Sequence, residues 1–303
     1  MSVREVVVLG TASQVPTRDR AHNGLLLRWD DHDVLIDPGE GTQRQLTLAG
    51  LSTSRITRIC VTHAHGDHCF GLPGILARMT LDGVEHEVEL HHPQAASEVV
   101  DALVAAVPHT RTPVRRRPAA AGRLVADGGS LAVRAVGLAH SVPTLGWRFE
   151  EPDGVSLLPD RLEAAGVFGP ARGELQRTGR VRVGARVVEL EEVSRPRPGQ
   201  HVAVVMDTGW CDGALELAEG VDLLVVEATF LEADRARAED VGHLTAAQAA
   251  RLGRQAGARR VVLTHFSQRY PDTRAHEAEA RAEAGDLDVV VAADLTRIPV
   301  PPR

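Results

Sequence analysis

Residues 56–74, ITRICVTHAHGDHCFGLPG, decide how this chain is read. The apolar run ITRICVT has the β-branched character of a buried strand. Four metal-competent side chains, His63, His65, Asp67 and His68, follow it within six positions. Imidazole nitrogen and carboxylate oxygen suit zinc, and residues two apart in a loop can face one ion while an adjacent Asp-His pair turns to a second. Gly66 lets such a loop bend tightly, and FGLPG then begins a helix.

Working outward, three more candidate ligands stand directly after apolar strands: His140 after LAVRAVGLA, Asp207 after HVAVVM and His265 after RRVVLT. Groups just beyond the carboxyl ends of strands in one sheet converge on a shared crevice. The resulting set of five histidines and two aspartates fits two metals about 3.5 to 4 Å apart. His63, His65 and His140 are expected to hold one, Asp67, His68 and His265 the other, and Asp207 to bridge them. A water shared by two such ions ionises near neutral pH, so hydrolysis is the expected reaction. The ligand set by itself leaves phosphodiester, thioester, lactone and β-lactam substrates open.

The chain around this motif is that of a globular protein: 303 residues, 43% hydrophobic and 25% charged, a balance that excludes global disorder. No run approaches the roughly 18 to 20 apolar residues that span a bilayer, and MSVREVVVLG lacks the layout of a secretory signal, so a cytoplasmic protein without membrane attachment is expected. Cys60, Cys69 and Cys211 are odd in number and lack CxxC spacing, which argues against a disulfide framework and for small buried hydrophobes. The formal charge of -7 excludes a uniformly positive surface but not a local basic face, and all 34 basic residues are Arg.

Strand-like runs (VREVVVLG, ITRICVTH, HVAVVMDT, DLLVVEAT, RRVVLTHF) alternate with amphipathic stretches, the pattern of an α/β protein. GLLLRWDDHDVLIDPG reads as two strands around a polar turn, and LAVRAVGLAH with LGWRFE as an antiparallel pair, which predicts mixed sheets. TAAQAARLGRQAGA reads as a helix capped by Thr245 and ended by Gly257. Residues 151–200 depart from the pattern, being rich in Gly, Pro and charge. Between Ala171 and Val187 five arginines (172, 177, 180, 182, 186) stand against the single acid Glu174. Charge runs are ordinarily solvated faces, and RTPVRRR at 111–117 reads as a surface loop.

HAHGDH resembles the signature of the metallo-β-lactamase superfamily. The wider pattern of GTASQVPTRDRAHN, IDPGEGTQRQL, HSVPTLGWRF, MDT, EATF, GHLTAAQAA and LTHFSQRY, spread over nearly the whole chain, resembles the ribonuclease Z family, which matures the 3′ end of transfer RNA. The resemblance implies one αββα sandwich over residues 1–303 with an extruded arm inserted at 151–200. It implies two zinc ions per subunit, with manganese or iron also conceivable, on the seven ligands in the division given above. It implies a homodimer that cuts precursor tRNA after the discriminator base by attack of an ionised water held between the metals. A phosphodiesterase or other small-molecule hydrolase of the same superfamily is the alternative.

By motif, Asp67, His243 and Glu227 are the candidate catalytic residues. His243 is expected to donate a proton to the departing ribose 3′ oxygen, and Glu227 to hold and charge its imidazole. Arg18 and Arg20 of PTRDR fall in a loop near the substrate 3′ end. Gly169 and Pro170 match the arm's GP motif, which grips the transfer-RNA elbow, and Arg172, Arg177, Arg180 and Arg182 are expected to contact phosphates. The chain departs from the family at Met206, where Gly is usual, at Val226 in place of His, and at Leu244 in place of Ser.

Overall fold

The computed structural model describes residues 3–126 and 130–303. The chain forms two compact units, one from residues 1–150 and 201–302 and a second built on Glu151–Gln200. In the larger unit the chain runs through β1 (Arg4–Gly10), β2 (Gly24–Trp29), β3 (His32–Ile36), β4 (Ile56–Cys60), β5 (Val88–Pro93), β6 (Val114–Ala119), β7 (Arg123–Ala126), β8 (Ala132–Leu138) and β9 (Thr144–Glu150). The smaller unit holds β10 (Gly154–Leu157), β11 (Arg180–Val183), β12 (Arg186–Glu189) and β13 (Ser194–Arg197). The chain then returns through β14 (His201–Val205), β15 (Leu223–Glu227), β16 (Arg260–Thr264), β17 (Asp288–Val291) and β18 (Arg297–Pro299).

Two seven-stranded sheets result, in the orders β18-β1-β2-β3-β4-β5-β6 and β17-β16-β15-β14-β9-β8-β7. Both are mixed: β3 to β6 and β14 to β17 run parallel, while the β2/β3 and β8/β9 hairpins are antiparallel, as the sequence predicts. Period-two alternation sends each strand's side chains to opposite faces. Val6 and Val8 therefore join Leu25, Leu27, Trp147, Phe149 and Val204 in the core between the sheets. Val7 and Leu9 face outward onto the helices Leu72–Leu81 and Ser97–Ala105. On the other side Ala203, Val205, Leu224 and Val226 meet helices Asp212–Ala218 and Ala246–Gln255. Helix, sheet, sheet and helix layers make an αββα sandwich.

Thr245 caps the helix Ala246–Gln255 reciprocally: its hydroxyl accepts from Gln248 N while Gln248 Oε1 accepts from Thr245 N. Gly257, at φ +68°, takes the left-handed turn beyond the helix. Cys60 and Cys69 are buried and Cys211 half-buried, all as free thiols. Among the described residues no helix is long and apolar enough to cross a membrane.

One sequence reading is corrected. Within RTPVRRR, residues from Val114 onward form β6, paired in parallel with β5, and are not a loop. The arginines tolerate this edge position because acids meet them: Arg116 pairs with Asp101 at 2.5 Å and Arg117 with Glu89 at 2.9 Å.

The smaller unit has its own apolar centre of Leu162, Val167, Leu175, Val181, Val188 and Val193, beneath the β10/β13 and β11/β12 pairs and the helices Pro159–Ala164 and Pro170–Thr178. Gly169 precedes the second helix at φ +52°, a conformation glycine adopts without strain, and Pro170 opens the helix where its missing N–H costs nothing. Both are exposed, as are Arg172, Arg177, Arg180 and Arg182. In the larger unit Glu150 of β9 pairs directly with His201 of β14, so the chain leaves and rejoins that sheet at adjacent positions.

Phe149 is fully buried between the two sheets. Replacing it with Ala is expected to cost about 3 to 5 kcal/mol, read as a lowered denaturant midpoint at unchanged m-value.

Candidate metal centre

Every candidate ligand stands at the carboxyl end of a strand. His63, His65, Asp67 and His68 follow β4, the last two in the one-turn helix Gly66–Cys69. His140 lies two residues past β8, Asp207 two past β14 and His265 one past β16. Because β14, β15 and β16 are parallel, their ends open on the same edge of the sheet. Close backbone packing fixes the first loop against the segment after β3. A Cβ on Gly39 would sit 2.2 Å from Asp67 O, and one on Gly71 would sit 2.0 Å from Gly39 O, so only glycine fits at either place. Asp207 (φ +43°) and His265 (φ +63°) are both held in the left-handed region, which for side chains of this kind costs of order 1 kcal/mol or more and persists only where surrounding contacts enforce it.

The ligand atoms fall into two groups that share Asp207. His63, His65, His140 and Asp207 form one, and Asp67, His68, Asp207 and His265 the other, with the ligand atoms of each group within 4.8 Å of one another. In the first, His63 Nε2 lies 2.9 Å and His140 Nε2 3.3 Å from His65 Nδ1. In the second, His68 Nε2 and His265 Nε2 are 3.2 Å apart, and lie 3.3 and 3.1 Å from Asp207 Oδ1.

The outward ring nitrogens explain which way the inward ones are charged. His63 Nδ1 is 3.0 Å from the Thr62 hydroxyl, His140 Nδ1 3.0 Å from Gly242 O, His68 Nδ1 2.8 Å from Asp37 Oδ2 and His265 Nδ1 2.9 Å from the Thr229 hydroxyl. Gly242 O and Asp37 Oδ2 can only accept. Thr62 Oγ1 donates to Asp37 Oδ2 at 2.7 Å, so it accepts from His63. The outward nitrogens of His63, His68 and His140 thus carry protons, and the neutral rings of His63 and His140 turn inward lone pairs toward the same space. Lone pairs so arranged repel unless a cation lies among them. Asp207 Oδ1, buried and with no hydrogen-bond partner, points into the same space. The donor set, imidazole and carboxylate with no thiolate, fits a divalent metal of the zinc class.

Electrostatics agree for His63 and His140 and set His68 apart. Burial pushes His68 down, but the carboxylates of Asp207, Asp37 and Asp67 outweigh burial and raise it well above the ordinary imidazole range, so His68 itself carries positive charge among the carboxylates. Burial opposes ionisation of Asp67 and Asp207, but neighbouring histidines, His68 above all for Asp67 and His265 for Asp207, hold both carboxyls below their ordinary range. Burial pushes His63 and His140 down, which keeps them neutral and able to donate a lone pair.

Beside these groups stands a carboxylate and imidazole pair. Glu227, the last residue of β15 and wholly buried, accepts the Nδ1 proton of His243 at 2.8 Å. Burial disfavours the imidazolium, yet the Glu227 charge outweighs it and pushes His243 up to about 9. The His243 ring lies 5.0 Å from that of His140 and 5.7 Å from that of His265. His65, Asp67, His140, Asp207, His243 and His265 all line one cavity of about 350 Å³, with Arg237, Gln268 and Arg269 also on its wall.

Within the larger unit, Arg18 and Arg20 are not on the wall of this cavity. Arg18 is exposed and Arg20 half-buried, and both line a separate surface cavity. Arg20 Nη2 donates to Tyr270 O at 2.7 Å, tying the PTRDR loop to the segment after His265. The positions Met206, Val226 and Leu244, where the chain departs from the family pattern, are all fully buried in the apolar layers. Sequence reasoning gave no role to Asp37, Thr62, Thr229 or Gly242, which orient the ligands. The only signal for them was position: Asp37 one residue past β3, Thr62 beside His63, Thr229 two past Glu227 and Gly242 beside His243.

The fold and the site define a metallo-β-lactamase-type hydrolase that works with divalent metal. A family model described as a beta-lactamase superfamily domain matches residues 187–266, and one described as anti-Pycsar protein Apyc1 matches residues 4–105. The chain is 55% identical to a ribonuclease Z of Nocardia farcinica over 305 residues, which cover all of both chains. It is therefore a member of the ribonuclease Z family. Its structure superposes on that of the short form of human tRNase Z with a TM-score of 0.70 at 26% identity, covering 98% of this chain and 99% of that one. The metallo-β-lactamase fold protein YhfI of Bacillus subtilis gives a TM-score of 0.72 at 16% identity over 98% of this chain and 99% of that one, a likeness of fold.

Asp37 holds His68 directly and His63 through Thr62, one ligand from each group. Asp37→Ala is expected to weaken metal binding by about 10 to 100-fold while all seven ligands remain, measured by chelator competition.

Proposed function

We propose that this protein is an endoribonuclease that removes the 3′ trailer from precursor tRNA by hydrolysing the phosphodiester after the discriminator base. The observation that carries this reading is the His243–Glu227 pair at the wall of the ligand cavity, in a chain 55% identical along its whole length to a ribonuclease Z. A general hydrolase needs the metals. A ribonuclease that expels a ribose 3′ oxygen also needs a proton donor beside them.

Two zinc ions are the proposed cofactors. His63, His65 and His140 would hold one and Asp67, His68 and His265 the other, with Asp207, common to both groups, available to each. When bound, the ions supply an activated water and neutralise charge on the phosphate. Asp67 stands among the ligand atoms with one face on the cavity and orients the attacking water. His243, kept protonated at neutral pH by Glu227, gives its Nε2 proton to the departing 3′ oxygen.

Affinity for the body of the tRNA is assigned to residues 151–200. Gly169 and Pro170 are exposed at the start of a helix, and Arg172, Arg177, Arg180 and Arg182 present charge suited to phosphates without sequence readout. Arg18 and Arg20 are assigned to phosphates near the substrate 3′ end. A homodimer in the cytoplasm completes the proposal.

The test incubates the purified protein with a tRNA precursor carrying a 3′ trailer and maps the cut to one nucleotide, with and without chelator. A single cut after the discriminator base that chelation abolishes is expected; cleavage of bis(p-nitrophenyl) phosphate with an intact precursor favours the small-molecule alternative. Reversing the charge of Arg172, Arg177, Arg180 and Arg182 together should raise KM for the precursor by about tenfold or more and leave bis(p-nitrophenyl) phosphate turnover unchanged.

His243→Ala should lower kcat on the precursor by about 10² to 10⁴-fold with metal content retained. In Glu227→Gln the charge that raises His243 is gone, so its proton is lost at lower pH. The alkaline limb of the pH–rate profile should move toward acid, with a larger loss of rate on the alkaline side than on the acid side.

A further inference from the structure

The Glu227 carboxylate receives four hydrogen bonds, two at each oxygen. Oε1 accepts from Thr208 N at 2.7 Å and from His243 Nδ1 at 2.8 Å. Oε2 accepts from Thr229 N at 3.3 Å and from the Thr229 hydroxyl at 2.5 Å. That hydroxyl also lies 2.9 Å from His265 Nδ1. Its proton is committed to Glu227, so toward His265 it can only accept, and His265 Nδ1 must be the donor. This makes Nδ1 a donor and leaves Nε2 as the ring nitrogen that faces Asp207 Oδ1 at 3.1 Å and His68 Nε2 at 3.2 Å.

The same construction occurs once more in the site. Thr62 gives both its N–H and its hydroxyl proton to Asp37 at 2.7 Å each, and its oxygen accepts from His63. In both places a threonine hydroxyl stands between a buried carboxylate and a histidine, and a second histidine binds the carboxylate directly. At Asp37 the second histidine is the ligand His68; at Glu227 it is the proposed proton donor His243.

We infer that Thr229 is a positioning residue whose hydroxyl joins the proton-donating pair Glu227–His243 to the ligand His265, so that one carboxylate orients both a metal ligand and the acid. The inference rests on the reading of the site as a metal centre. It explains how His265 keeps a left-handed backbone at φ +63° with its ring aimed inward: the ring is pinned from behind, and Thr208 N, one residue after the equally strained Asp207, is pinned to the same carboxylate. Thr229→Val keeps the shape and removes the hydroxyl, leaving the buried His265 N–H without an acceptor and Glu227 Oε2 with only the long bond to Thr229 N.

The test measures stepwise binding of Zn²⁺ to chelator-stripped wild type, Thr229→Val and Thr229→Ser by competition with a chromogenic chelator, with thermal unfolding of each stripped protein alongside. One of the two binding steps should weaken by about 10 to 100-fold in Thr229→Val while the other holds, and Thr229→Ser should restore it to within about threefold of wild type. Unchanged binding in Thr229→Val, or binding in Thr229→Ser as weak as in the valine variant, overturns the inference. So does equal weakening of both steps together with a lowered unfolding temperature, since that marks general loosening. If wild type itself binds no metal, the metal-centre reading fails instead, so the two failures are distinguishable.

Discussion

The site depends on crowding five imidazoles and two carboxylates into one buried space. His63, His65 and His140 on one side, and His68 and His265 on the other, turn ring nitrogens into a space that also receives the ionised Asp67 and Asp207. A flexible chain would relieve this crowding by rotating the rings outward. Here four of the five rings, those of His63, His68, His140 and His265, are tied from behind to acceptors that cannot themselves donate, or whose one proton is already committed: Asp37 and Gly242 O directly, Thr62 and Thr229 by their hydroxyls. The price is met by the sandwich, whose inter-sheet and outer layers anchor each strand end with fully buried Val, Leu and Ile.

The same constraint separates what the sequence could reveal from what it could not. The strands were legible because their runs are apolar and β-branched, and a parallel sheet buried on both faces demands that. The candidate ligands were legible as a group because chemistry crowds His63, His65, Asp67 and His68 into one loop, and because His140, Asp207 and His265 each follow such a run; the structure brings all seven together. Asp37 was not legible as an orienting group. Its role exists only through hydrogen bonds to Thr62 and His68, 25 and 31 residues away. Thr229 is equally silent, since nothing in EATF says that its hydroxyl reaches a histidine 36 residues on. RTPVRRR misled because its charge suggests solvent, and the acids that let it lie along a sheet edge are on other elements.

Arg20 illustrates a related point about basic residues. A guanidinium in a loop reads as a phosphate contact, yet its Nη2 is engaged by Tyr270 O, and through that bond the PTRDR loop is tied to the segment that follows His265. In the smaller unit the four arginines stand over a separate apolar centre of six residues, so that a folded surface and not a bare loop presents them.

X-ray absorption at the zinc edge of the reconstituted protein tests the central claim most directly, because it reads the metals without any substrate. Two ions per chain, with nitrogen and oxygen neighbours and a metal–metal vector at about 3.5 to 4 Å, are predicted for ligand groups that share Asp207. A single ion per chain, sulfur among its neighbours, or no second metal within that distance contradicts the account.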